Sequence, residues 1–123
     1  MGPEAMPKTA YEAALTIHGP AMKSIYESTF SENGLDAIIF PTTPLTARNI
    51  GEDETIDLNG VQVPTFPTYI RNTDLGSNIG APGISLPCGG VVALPVGIEL
   101  DGLPGRDEGL LGLAKSIEMA LTS

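Results

Sequence analysis

Tryptophan is absent from the 123 residues, histidine and cysteine occur once each, as His18 and Cys88, and only six residues are Lys or Arg. One Cys and one His can form neither an internal disulfide nor a structural zinc site of the Cys/His type. The staples of small secreted domains are thus missing, and the composition fits a cytoplasmic protein. Six basic residues against 15 Asp and Glu give a formal charge of -9. That charge repels polyanions and anionic bilayer surfaces, which argues against nucleic acid and membrane as partners. No apolar run approaches the roughly 18 residues of a membrane span, and the start lacks the basic-then-apolar pattern of a signal peptide. Position 6 is Met rather than Ser or Thr, so Met1-Gly2 does not read as an acylation signal.

Apolar residues make up 41% of the chain, enough for one hydrophobic core, and the length fits one domain. Fifteen Gly and eleven Pro imply a fold rich in turns and poor in long uninterrupted helices. Met6 follows closely on Met1-Gly2-Pro3-Glu4-Ala5, so residues 1–8 are set apart as disordered or appended. Residues 9–123 are expected to form a single α/β domain.

Thr9-Ala10-Tyr11-Glu12 has the spacing of a capping box and predicts a helix start at Thr9. Ala14, Leu15 and Ile17 give that helix an apolar side, and Gly19-Pro20 predicts a break or kink. From Pro20 the residues Met22, Ile25, Tyr26, Thr29 and Phe30 recur at helical steps until Asn33-Gly34. Asp36 is expected to accept backbone N–H bonds in the turn that follows. The continuous run Ala37-Ile38-Ile39-Phe40 reads as a strand covered on both faces. Asn59-Gly60, flanked by Ile56, Leu58, Val61 and Val63, predicts a two-residue hairpin turn. A short helix is expected within 65–79, ended by Gly80 to Pro82. Ile84-Ser85-Leu86 and Ala93 to Leu100 read as two strands separated by Cys88-Gly89-Gly90, the second again covered on both faces. A last helix is expected at 107–121, capped by Asp107, with Leu110, Leu111, Ala114, Ile117 and Leu121 facing the sheet.

The string Gly34-Leu35-Asp36-Ala37-Ile38-Ile39-Phe40-Pro41-Thr42-Thr43-Pro44 resembles a segment of the amidase signature hydrolases. Asn72 and Asn78, Gly80-Ala81-Pro82-Gly83-Ile84-Ser85-Leu86-Pro87, Leu94-Pro95-Val96-Gly97-Ile98-Glu99-Leu100, and then Asp107, Leu110-Leu111 and Glu118 follow that family's C-terminal order. The resemblance covers roughly residues 10–121. Within the family, the Asn-Gly hairpin and Tyr69-Ile70-Arg71-Asn72-Thr73 look most like the mandelamide and indoleacetamide hydrolases. The resemblance implies an α/β fold, a small mixed sheet with flanking helices, matching the C-terminal portion of the amidase signature fold. It also implies carboxamide hydrolysis by a Ser, a bridging Ser and a Lys in the complete enzyme. That triad belongs to a Gly-Ser-Ser-Gly-rich loop, and this sequence contains no such loop. Lys8, Lys23 and Lys115 are its only lysines, so no catalytic residue is assigned.

Thr42 and Thr43 follow a strand end, where ligands are often contacted, although two Thr between Pro41 and Pro44 equally shape a turn. Asn72 and Asn78 are candidates for a substrate pocket or for ordinary helix ends. Cys88 before Gly89-Gly90 and His18 could form a dyad, against the plainer reading of a small buried thiol and a helix-end residue. Ser77 and Ser85 are the serines nearest the candidate pocket, and Ser85 within a strand fits a packing or backbone contact. Glu52, Asp53, Glu54 and Asp57 lack the spacing of a Ca²⁺ loop and read as a solvated patch. No metal and no cofactor are implied.

The expected function is that of a C-terminal piece of an amidase signature hydrolase, inactive alone and acting on a small carboxamide when an N-terminal portion completes it. The competing readings are a noncatalytic folded module and a weak hydrolase with an improvised site. Strands read as covered on both faces exceed what two helices can cover, so self-association into a dimer or higher oligomer is expected.

Overall fold

The structure, a computed structural model, describes residues 6–122, and the expectation for residues 1–5 lies outside it. The chain forms two compact units, Met1–Leu35 and Asp36–Ser123.

The first unit is helical. Its first helix, α1 (Lys8–Ala13), starts one residue before the expected site, with Pro7 at the N-cap and no side-chain cap bond. The Pro7 carbonyl accepts from the N–H groups of Ala10 and Tyr11 at 3.0 and 3.1 Å. Starting at Lys8 puts Thr9 inside the first turn, so the Thr9–Glu12 capping box is not made, and Glu12 pairs with exposed Lys8 at 3.6 Å instead. Of the break or kink expected at Gly19-Pro20, there is no break; the ladder is irregular there instead. A π-helical turn, Ala14–His18, runs directly into α2 (Gly19–Asn33). The Gly19 N–H reaches back five residues to the Ala14 carbonyl. This wider turn makes room for the ring of Pro20, which has no N–H to offer.

On α2 the apolar stripe sorts unequally. Tyr26 and Phe30 are buried with ring centroids 4.8 Å apart, whereas Ile25 is exposed. Gly34 closes the helix in the left-handed region at φ 62°, and the Gly34 and Leu35 N–H groups both reach the Phe30 carbonyl. Those two bonds complete the turn without help from Asp36. The Asp36 side chain is exposed and has no backbone partner among the described residues, contrary to the expectation.

The second unit mixes α and β. One sheet has strands β1 (Ile38–Pro41), β4 (Gly83–Val91) and β5 (Leu94–Asp101) in the order β1-β5-β4, and the other is the hairpin of β2 (Thr55–Leu58) and β3 (Val61–Pro64). All pairings are antiparallel. The hairpin turns at Asn59 (φ 55°) and Gly60 (φ 85°), as the dipeptide requires, with Asp57 accepting the Gly60 N–H at 3.2 Å.

β1 is an edge strand with alternating burial, and Ile39 is exposed. The reading of a strand covered on both faces fails there, because its burial alternates and the face that carries Ile39 is open. Along β5 full burial is confined to Leu100 and Asp101. The β4–β5 turn is made by Val92 and Ala93, both at positive φ, rather than by Cys88-Gly89-Gly90, which lie within β4 at a bulge between Pro87 and Gly90.

The expected helix within 65–79 is two short ones, α3 (Thr65–Ile70) and α4 (Asp74–Ile79). Between them the Thr73 N–H and hydroxyl both turn back to the Ile70 carbonyl, which ends α3. The last helix, α5 (Asp107–Leu121), has Arg106 at its N-cap and no side-chain cap bond. Asp107 therefore acts as a first-turn acid favourable to the helix dipole, not as the cap. Leu110 and Ala114 of α5 pack on Leu86 and Leu100, flanked by Ala37, Ile84, Ile98 and Ile117. That cluster is the core of the unit, and it occupies one face of the three-stranded sheet.

Candidate functional site

Beyond β1 the chain turns at Pro41-Thr42-Thr43-Pro44, and this turn is tied down at three points. The Thr42 N–H donates to the Gly97 carbonyl at 3.0 Å, the Thr42 and Ser85 hydroxyls share a 2.5 Å hydrogen bond, and Asn72 Nδ2 donates to the Pro41 carbonyl at 2.7 Å. The turn, the following segment to Arg48, Tyr69 and the adjoining ends of β4 and β5 line an open cavity of about 670 Å³. Its walls are mainly apolar, from Pro41, Pro44, Leu45, Val91, Pro95, Val96 and Ile98. The polar groups at its walls are few. Tyr69 spends its hydroxyl on the Thr46 carbonyl at 2.7 Å and Thr43 on the Leu45 carbonyl at 2.8 Å, while Thr46, Arg48 and the Cys88 thiol also line the wall. An apolar concavity with few polar groups suits a small organic ligand.

The expected site residues separate. Thr43 lines the cavity, while Thr42 and Asn72 stand behind it and fix the turn. Asn78 donates to the Asp74 carbonyl of its own helix at 2.8 Å and does not line the cavity. The Ser77 hydroxyl likewise turns to the Thr73 carbonyl. Cys88 does line the cavity, but this unit contains no histidine, so no imidazole base stands within it. Arg48 and Tyr69 were not singled out from the sequence, since the cavity is built by loop geometry that no spacing encodes.

The sheet face opposite α5 carries a second polar group that the sequence reading passed over. Glu99 and Asp101 alternate with Ile98 and Leu100 along β5, and the register sets Glu99 opposite Ser85 and Asp101 opposite Gly83. Asp101 is only 5% exposed. Burial pushes both carboxyls above their ordinary values, and the Asp101 charge raises Glu99 further. Two acids two residues apart in an apolar strand were the available signal, because that spacing puts both on one face.

Indoleacetamide hydrolase of Rhizobium radiobacter is 44% identical over 115 residues, 93% of this chain and 25% of that enzyme. Mandelamide hydrolase of Pseudomonas putida is 44% identical over 114 residues, 91% of this chain and 21% of that enzyme. The chain thus spans about a quarter of the length of these curated relatives. A solved amidase crystal structure superposes with a TM-score of 0.71 at 26% identity, covering 96% of this chain and 30% of its own. An inhibitor-bound structure of an s-triazine catabolic enzyme's vestigial complex gives 0.74 at 26% identity, over 86% of this chain and 23% of its own. The amidase family model matches residues 3–111, and with that match, the sequence identities and the shared fold, the chain belongs to the amidase family.

Proposed function

We propose that this chain contributes a binding wall to a carboxamide hydrolase and turns over a small aryl carboxamide only when a partner portion supplies the nucleophile and base. The observation that carries this reading is the apolar cavity beside the Pro41–Pro44 turn, within a stretch 44% identical to hydrolases of indoleacetamide and mandelamide. The cavity walls are mainly apolar, as the body of an aryl carboxamide requires. The hydroxyls of Ser77 and Ser85 are engaged with Thr73 and Thr42, and neither is hydrogen-bonded to a lysine or imidazole among the described residues. A serine in that state is not activated for acyl transfer.

The test is ammonia release from indoleacetamide and mandelamide. The chain alone is expected to match a protein blank, and turnover is expected when it is co-expressed with the preceding three quarters of an indoleacetamide hydrolase. A rate from the chain alone that is lost in Ser77→Ala, Ser85→Ala or Cys88→Ala would overturn the proposal. No turnover in either arm favours a noncatalytic module.

The same reading extends to self-association. β1 and β4 lie at the two edges of their sheet, and Ile39, Val91 and Val92 are exposed on or beside them. Open edges with apolar side chains pair with other chains. A dimer or larger assembly is expected by light scattering at micromolar concentration, and a monomer counts against it.

A further inference from the structure

The cavity beside the Pro41–Pro44 turn reverses the charge balance of the chain. The sequence carries 15 Asp and Glu against six Lys and Arg, yet no acidic side chain lines this cavity, and its one charged lining residue is Arg48. Glu52, Asp53 and Glu54 follow shortly in sequence, but none of them lines the cavity. Arg48 has neither an ion pair nor a side-chain hydrogen bond among the described residues. The segment that carries it is held in place. The Tyr69 hydroxyl donates to the Thr46 carbonyl at 2.7 Å, two residues before Arg48, and the Thr43 hydroxyl donates to the Leu45 carbonyl at 2.8 Å. The Thr46 hydroxyl and the Cys88 thiol, which also line the cavity, are neutral groups that both give and accept hydrogen bonds. Arg48 alone is charged and donates only.

That donor set discriminates between two oxidation-equivalent ligands. A guanidinium presents a fixed fork of N–H groups that meets both oxygens of a carboxylate. A carboxamide offers it one carbonyl oxygen, and the amide's own NH₂ finds no acceptor on the arginine. The apolar walls, and a volume of about 670 Å³, accommodate the body of a small organic ligand in either case. The formal charge of -9 repels an anion at long range, but that field is screened beyond about 8 Å at physiological salt. It slows approach more than it sets affinity at contact, where Arg48 decides.

We propose that this cavity binds a small aryl carboxylate, held at its anionic end by Arg48 and preferred over the corresponding neutral carboxamide. The inference deepens the function proposed above and rests on it for the aryl body of the ligand. Hydrolysis of a carboxamide by water gives an acid, ionised at neutral pH, and ammonium, so the favoured ligand is the organic product of that reaction.

The probes are indole-3-acetate and indole-3-acetamide, titrated separately into the chain at neutral pH and constant ionic strength and read by the backbone amide resonances of Val91, Gly97 and Ile98 in the cavity wall. Saturable shifts are expected for both, with the acid bound about tenfold more tightly, the difference between a charge-assisted and a neutral hydrogen bond. Sodium acetate, which has the charge without the aryl body, is expected to give no saturable shift over the same range. In Arg48→Gln the acid and the amide are expected to bind equally, with the amide affinity unchanged, because Arg48 is an exposed loop residue and its loss leaves the walls intact. Arg106→Gln, which removes an exposed arginine that does not line the cavity, is expected to keep the tenfold preference. Equal affinities in the parent chain overturn the inference, as do a preference that survives Arg48→Gln, acetate binding as tight as that of the aryl acid, or no saturable shift with either aryl ligand. Ammonia release by the co-expressed pair reports separately on the proposed function. Turnover there without an acid preference here removes this inference alone, and an acid preference without turnover removes the other alone.

Discussion

The two faces of the three-stranded sheet are built from the same strands and obey opposite rules. Toward α5, Ile84, Leu86, Ile98 and Leu100 present branched apolar side chains that close against Leu110 and Ala114. Away from α5, the alternate positions are Gly83, Ser85, Gly97, Glu99 and Asp101. A period of two puts each set on its own side. On the first face stability comes from filled volume, and on the second small residues hold space open around carboxyls and hydroxyls. One face holds the core, and the other carries the acids of β5.

The contrast breaks most readily at Leu100, which is 1% exposed. Leu100→Ala is expected to cost about 3–4 kcal/mol in chemical denaturation, as for a large buried side chain whose cavity cannot collapse. A loss under about 1 kcal/mol would place the core elsewhere. On the opposite face, Gly83→Ala inserts a methyl into the two carboxyls and is expected to cost about 1–3 kcal/mol. The cost should shrink in the Gly83→Ala/Asp101→Ala pair relative to the sum of the single changes, and strict additivity in that cycle would disprove the contact.

Asp101→Asn is expected to act in the other direction, stabilising by about 1 kcal/mol at neutral pH. Because Asp101 and Glu99 hold their protons more tightly folded than unfolded, their favourable contribution is complete below the ordinary values of 3.8 and 4.5. It is lost as pH rises through the raised values. Thermal melts across mildly acidic to neutral pH should therefore show a smaller fall in stability for Asp101→Asn than for the parent chain. The smallest effect belongs to Asn78→Ala, under about 0.5 kcal/mol and without change in ligand binding, since the exposed Asn78 bonds only its own helix. A large loss of binding there would return Asn78 to the site.

What the sequence made legible follows from local chemistry. The Asn59-Gly60 hairpin, the end of α2 at Gly34 and the inward stripe of α5 are each decided by residues within one turn of themselves. The β4–β5 hairpin misled because Cys88-Gly89-Gly90 has turn composition while Val92 and Ala93 take φ of 49° and 64°, a region that disfavours both. Gly90 serves the bulge instead, where a Cβ would meet the Leu94 carbonyl at 2.7 Å. The run Ala37–Phe40 advertised cover on both faces, but burial depends on what packs above and below the sheet, and the Ile39 face of β1 is left open. At the site, Thr43 was legible from its place after a strand. Arg48 and Tyr69 meet through loop closure across about twenty residues, for which no periodicity exists.

Gly76 of α4 adds an evolutionary restriction to the Asp101 geometry, since a Cβ there would meet Asp101 Oδ2 at 2.8 Å. Positions 76, 83 and 101 are thus sterically coupled. A side chain at residue 76 or 83 requires the Asp101 carboxylate to shift or residue 101 to be smaller, so changes at these positions are expected to be non-additive in stability. Chains that keep an acid at 101 should carry glycine at both other positions, and chains that have lost the acid are free to vary there.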